Sequence, residues 1–124
     1  MNNCTRIFGL LGFLSVALGA FAAHGLKGIL PPEDLSIFHT GVTYQFTHTL
    51  TYGLCALALP ESKARTWAMR FFLMGIFIFS GSLYLLVLTN QRWLGAITPI
   101  GGLSFLLGWG CLIFGKKAEL TPPA

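Results

Sequence analysis

A chain of 124 residues has room for one domain, so a separate catalytic or binding domain is not expected. Apolar residues make up 54% of it and charged residues 10%, against about 25% charge in a soluble globular domain, which excludes a soluble fold of this size. The net charge of +4 does not indicate nucleic acid, because the eight Lys and Arg stand singly or in small groups between apolar runs.

A helix needs roughly 20 mostly apolar residues to cross hydrocarbon. Four stretches approach that length: residues 7–23, 37–59, 67–88 and 94–114. The other structure that satisfies its backbone in lipid is a closed barrel, whose strands alternate apolar and polar residues. The run Phe71-Phe72-Leu73-Met74-Gly75-Ile76-Phe77-Ile78-Phe79 does not alternate. The expected fold is therefore all-α, an integral membrane four-helix bundle. It forms one transmembrane domain over residues 1–124, with helices near 7–24, 32–59, 66–88 and 94–115.

The first span follows Arg6 and ends in Ala20-Phe21-Ala22, a pattern shared with signal peptides and their small-residue cleavage sites. Cleavage there would leave three spans and put the termini on opposite sides. Numbering from Met1 favours a retained helix. In the connection that follows, Leu26, Ile29 and Leu30 are expected in the membrane interface. Pro31-Pro32 stops one element and starts the next, since proline suits the first turn of a helix. Glu33 and Asp34 then complement the positive helix end.

The second span is the polar one, with His39, Thr40, Thr43, Tyr44, Gln45, Thr47, His48, Thr49, Thr51 and Tyr52. Tyr44, Gln45, His48 and Tyr52 lie three or four apart and share a helix face. Polar groups inside a membrane cost free energy unless paired, so His48 is expected to face the other helices. Ser80, Ser82 and Tyr84 on the third span and Thr98 on the fourth are its candidate partners, and Pro99 should loosen the local backbone. A polar pocket marked by His24, Tyr44, Gln45, His48, Ser82, Tyr84 and Thr98 would then lie in the outer half, above an apolar inner half. A plain hydrogen-bond network that fixes packing is the competing reading.

Small residues mark the first and fourth spans. Gly12, Ser15, Gly19 and Ala22 recur at spacings of three and four, as do Gly101, Ser104, Gly108, Cys111 and Gly115. A repeat averaging about 3.5 residues keeps one seam against a partner helix, and close approach across small residues drives helix association in lipid. Gly12, Ser15, Gly19, Gly101, Ser104 and Gly108 are therefore expected to serve helix packing.

Orientation follows from the basic residues. With a cytoplasmic N-terminus the inner side holds Arg6, Lys63, Arg65, Arg70, Lys116 and Lys117, and the outer side Lys27 and Arg92. Cytoplasmic loops are the ones enriched in Lys and Arg, so both termini are expected inside. Trp67 and Trp93 stand at interface depth.

No metal site is expected. His24, Glu33, Asp34 and His39 have metal-ligand chemistry but match no zinc spacing, and Cys4, Cys55 and Cys111 are odd in number and far apart. Haem ligation by His39 and His48 fails because nine residues along a helix separate them by roughly 13 Å in depth. No cofactor is expected, nor a phosphate-binding glycine loop or an activated nucleophile.

Leu18-Gly19-Ala20-Phe21-Ala22-Ala23-His24-Gly25-Leu26, then Tyr44-Gln45 with His48, form a pattern spread along the chain. It continues in Ser80-Gly81-Ser82-Leu83-Tyr84 and in Thr98-Pro99-Ile100-Gly101-Gly102 with Gly108-Trp109. This pattern resembles the domain-of-unknown-function 423 family of small membrane proteins, to which transmembrane protein 256 is related. Ala22 stands where the family motif usually has a second glycine. The resemblance covers nearly the whole chain and implies a four-helix protein of the cell inner membrane with the first span retained. It implies no activity.

Two functions compete on these grounds. A structural or accessory membrane protein would act by packing against lipid, a second copy or another membrane protein. A small transporter or channel-like protein would use a polar pocket around His48 as a path. The apolar inner halves, residues 54–59 and 69–79, favour the first. An enzyme is not expected.

Overall fold

The computed structural model describes residues 2–116; Lys117, counted above among the inner basic residues, lies outside them. Four helices follow one another: α1 Asn3–His24, α2 Pro32–Ala58, α3 Lys63–Thr89 and α4 Arg92–Phe114. All four start earlier than the apolar runs, and in α1 and α3 a polar side chain caps the first turn. The Asn2 side chain accepts from the Thr5 N–H at 2.9 Å, and Ser62 Oγ accepts from the Arg65 N–H at 3.0 Å. Such caps satisfy amides that have no partner within the helix.

Hydrophobic length makes three of these helices membrane spans by composition: α1, α3 and α4 are each long and apolar enough to cross. The second helix is not in that set, because its polar residues lower its hydropathy. It is nonetheless 27 residues long, about 40 Å at 1.5 Å per residue, and it packs along α1 on one side and α3 on the other. Its polar side chains Gln45, His48, Thr49 and Thr51 are turned inward and buried. The whole is a helical membrane bundle in which the inner face of the most polar helix is covered by its neighbours, as intramembrane polar groups require, while Thr43, Tyr44 and Thr47 stay exposed on its other face.

The pairing is α1 on α2 and α4 on α3, with α2 and α3 in contact between them. Outward faces are apolar: Phe13, Val16 and Phe21 on α1 and Leu106, Ile113 and Phe114 on α4 are all exposed. Inside, two apolar clusters form. One, toward the α1–α2 connection, holds Ala22, Leu26, Phe38, Leu86, Val87 and Leu94. The other, toward the opposite end, holds Leu11, Tyr52, Cys55, Ala68, Met69, Phe72, Ile76 and Phe105.

Two local departures shape α3 and α4. A π-helical turn, Ile76–Ser80, separates the α-helical parts of α3, and it lies against Gly101, where a Cβ would collide with the Phe79 amide nitrogen. The last helix opens with a 3₁₀ turn, Arg92–Ala96, and becomes α-helical at Thr98. Pro99 therefore sits at the start of the α-helical part, where its missing N–H costs little. It begins that helix rather than loosening it.

Candidate functional site

Between the two apolar clusters lies a polar layer, centred on α2. Gln45 and His48 are three positions apart, both buried, and they serve different halves of the bundle.

Gln45 faces α1 and α3. Its Nε2–H donates to the carbonyl oxygen of Leu11 at 3.2 Å, and its Oε1 accepts from the Tyr84 hydroxyl at 2.7 Å. Ser15 donates to the same Leu11 carbonyl at 2.8 Å. One α1 oxygen thus ties two helices together. Ser80 donates to the carbonyl oxygen of Gly41 at 2.6 Å, linking α3 to α2. The Tyr84 ring reaches this position because Gly41 carries no side chain; a Cβ there would stand 2.7 Å from the ring.

His48 faces α3 and α4. Its Nδ1 is 2.9 Å from the Tyr44 carbonyl oxygen, and the Trp109 indole N–H donates to its Nε2 at 3.1 Å. An indole only donates and a carbonyl only accepts. Both bonds form together only when the proton is on Nδ1 and Nε2 keeps its lone pair, so the geometry selects that neutral tautomer. The ring stacks on Phe105, with centres 3.6 Å apart and 11° between planes. Phe72 and Tyr44 complete the aromatic surround at 5.7 and 5.9 Å. On the membrane side this surround opens into a shallow apolar groove of about 620 Å³ between Tyr44, Phe79, Leu103, Leu106 and Trp109.

A third link joins α3 to α4. Ser82 donates to the Phe79 carbonyl at 2.9 Å and lies 2.6 Å from the Thr98 hydroxyl. Either hydroxyl can donate to the other, and the Leu94 carbonyl oxygen, 3.4 Å from Thr98 Oγ1, accepts the Thr98 proton when Ser82 is the donor.

The residues singled out from sequence are therefore only partly brought together. Gln45 and Tyr84 bond directly, and Ser82 and Thr98 bond directly, but neither pair touches the nitrogens of His48. The partners of His48 are the Tyr44 carbonyl and Trp109, not Ser80, Ser82, Tyr84 or Thr98. Tyr44 stands at the rim, 43% exposed. His24 is not part of this layer: it is exposed at the end of α1, nine residues beyond Ser15, which places it about 13 Å away in depth. The layer itself is flanked by apolar clusters on both sides, rather than filling an outer half above an apolar inner half.

Phe72, Phe105 and Trp109 were not legible as site residues. Trp109 carried the usable signal, because an indole N–H within an apolar run needs an acceptor, and His48 offers one.

The small residues divide as well. On α4, a Cβ at Gly101 or Gly108 would collide with the Phe79 backbone or, at 2.6 Å, the Phe72 ring, and Ser104 donates to the Phe71 carbonyl at 2.7 Å. On α1, Ser15 is buried, but a Cβ at Gly12 would meet nothing within 4 Å and one at Gly19 only Val42 Cγ1 at 3.4 Å. Gly12 is thus not a close-packing position.

At the interface end of α2, outside the hydrocarbon, Asp34 accepts two hydrogen bonds from Arg92, at 3.0 and 2.9 Å. These bonds and the guanidinium charge hold its carboxyl below the usual carboxylate range. The pair ties the first turn of α2 to the start of α4 and engages the carboxylate that could otherwise have joined His24 and His39. Among the described residues no three His, Cys, Asp or Glu side chains come together.

Comparison with known proteins places the chain. Residues 18–102 match the family described as "Protein of unknown function (DUF423)". A UPF0382 membrane protein of Haemophilus influenzae is 46% identical over 116 residues, covering 93% of this chain and 94% of that protein. The UPF0382 membrane protein YwdK of Bacillus subtilis is 43% identical, with 84% and 90% covered. The UPF0382 inner membrane protein YgdD of Escherichia coli is 41% identical, with 84% and 81% covered. No solved structure matches the chain.

Proposed function

Because this chain belongs to the DUF423 family, whose relatives are named membrane proteins, we propose that it is a structural or accessory multi-pass protein of the cell inner membrane. It works by packing its lipid-facing helices against lipid, a second copy or another membrane protein, and it neither catalyses a reaction nor conducts a solute.

One observation carries this reading. The polar layer is closed upon itself by hydrogen bonds between Leu11, Gln45 and Tyr84, between Gly41 and Ser80, and between His48 and Trp109. Apolar clusters containing fully buried Phe38 and Phe72 stop it at both ends. A conducting path needs polar groups left open to water across both leaflets, and here Gln45, Tyr84, Ser80 and His48 are paired and capped, while the Thr49 hydroxyl is buried away from water without a partner among the described residues. The test is flux from proteoliposomes loaded with a pH-sensitive dye and, separately, a potassium-sensitive dye. Leak equal to protein-free vesicles is expected. A protein-dependent flux that His48→Ala abolishes would establish the channel-like alternative instead.

Both termini are placed in the cytoplasm, on the bias of Arg6, Lys63, Arg65, Arg70 and Lys116 over Lys27 and Arg92. Single cysteines introduced beside Lys116 and beside Lys27 in a cysteine-free background test this. An impermeant maleimide added to intact cells should label only the Lys27 site. Labelling near Lys116 would reverse the orientation.

A further inference from the structure

The α3 start and the α4 end meet where Ala64 lies against Gly115, but they diverge on the outer face beside that contact. They leave a crevice of about 1210 Å³ between Trp67 and Phe71 on one wall and Leu106, Leu107, Gly110 and Phe114 on the other. Its walls are apolar, and its mouth carries Lys63 and Lys116, both exposed. The Arg70 guanidinium lies 5.1 Å over the Trp67 ring. A smaller notch of about 170 Å³ continues between Ser62, Arg65, Cys111, Gly115 and Lys116. There Arg65 donates from Nη1 to the carbonyl oxygens of Leu59 and Ala56 at 3.0 and 3.5 Å, capping the end of α2. Its Nε–H is buried with no acceptor among the described residues.

Lys63 and Lys116 therefore stand at one apolar opening, with Arg65 in the notch that adjoins it, and among the described residues none of the three is paired with a carboxylate; the Asp34–Arg92 pair is at the other end. Among the described residues Glu61 is the one nearby acid, lining an adjoining notch with Lys63 and Arg65. Like charges gathered at an apolar mouth repel one another and are stabilised by an anion. An aqueous anion would leave the apolar walls unfilled, and an apolar chain alone would leave the cations unanswered. A molecule with an anionic head and hydrocarbon tails matches both, and indole at interface depth marks the level at which such a head sits.

We infer that this crevice is a binding site for an anionic phospholipid, its acyl chain lying between α3 and α4 and its phosphate at Lys63, Arg65 and Lys116. The site needs only that this end of the bundle lie at a membrane surface, and it is independent of whether the polar layer conducts.

Native mass spectrometry of the full chain, released from micelles doped with equal phosphatidylglycerol and phosphatidylcholine, tests it. The parent should retain one phosphatidylglycerol in preference. Lys63→Gln with Lys116→Gln should weaken that preference by roughly thirtyfold at low salt, since each of the two cations near a membrane surface contributes on the order of 1 kcal/mol. Gly110→Phe supplies the second arm: Gly110 lines the crevice and a Cβ there meets nothing within 4 Å, so a side chain added at this position extends from open space into the crevice. It should abolish retention while circular dichroism stays unchanged. Equal retention of both lipids by the parent would overturn the site. Loss of preference in the lysine variant with full retention in Gly110→Phe would also overturn it, as surface charge without a crevice. So would a dimer that excludes lipid, the crevice then belonging to a second copy. Flux in the vesicle experiment with lipid retention intact would overturn the sealed-bundle reading alone.

Discussion

The first and fourth helices carry the same device in sequence, a row of small residues three and four apart, yet the fold uses the rows differently. On α4, Gly101 and Gly108 admit the backbone of Phe79 and the ring of Phe72. The α3–α4 half is thus held by close approach, with Phe105 entering the space over Gly75 in return. On α1, the glycines of the row meet little. The α1–α2 half is held by Ser15 and Gln45 sharing the Leu11 carbonyl, and by Phe8 lying over Gly53 of α2. A small residue only permits contact. What the neighbouring helix presents at that level decides whether contact occurs.

Substitution by leucine separates the two halves most sharply. Gly101→Leu places side-chain atoms into the Phe79 backbone, which cannot rotate away, so a destabilisation of about 3 kcal/mol, the upper end of overpacking, is expected. Gly108→Leu, against the more yielding Phe72 ring, should cost somewhat less, and Gly12→Leu should stay within about 0.5 kcal/mol of the parent. Reversible unfolding in mixed micelles with increasing dodecyl sulfate gives all three values. Equal losses at Gly12 and Gly101 would erase the distinction between the halves.

The polar link of the first half comes next in size. Gln45→Leu leaves the Tyr84 hydroxyl without its acceptor, and an orphaned buried donor costs roughly 1–3 kcal/mol. Adding Tyr84→Phe removes the orphan, so the double variant should regain part of the loss. The coupling read from that cycle tests the bond itself; strictly additive effects would mean Gln45 and Tyr84 act separately.

The smallest effect belongs to the second half. Trp109→Phe removes the donor to His48 Nε2 but keeps much of the aromatic packing, and hydrogen bonds between membrane helices average only about 0.6 kcal/mol. Stability is a blunt readout here. The ¹⁵N shift of His48 Nε2 is the sharper one, and it should move toward the value of an unbonded imine nitrogen. An unchanged shift would show that the indole is not its partner.

The bundle was legible because hydrocarbon imposes its thickness on the chain: apolar runs of the right length, bounded by Pro32, Ser62 and Arg92, mark helices whatever their packing. The inward turn of α2 was legible for a related reason, since Gln45 and His48 cannot face lipid cheaply. The partners were harder. Ser80, Ser82, Tyr84 and Thr98 all stood at plausible depth for His48, but depth along a helix says nothing of azimuth. A rotation of one position is about 100°, enough to exchange one neighbour for another.

By itself, then, the sequence determined the solvent this protein lives in, its helices and the need for a buried polar layer, because each follows from transfer free energies and chain length. Only the tertiary structure decided that Gln45 belongs to Tyr84 and Leu11 while His48 belongs to Trp109, and that Gly101 is pressed against α3 while Gly12 is free. Those outcomes depend on the rotation and approach of each helix against the next. Many side chains set these jointly, with the π-helical turn of α3 among the determinants, and no local pattern along a single helix encodes them.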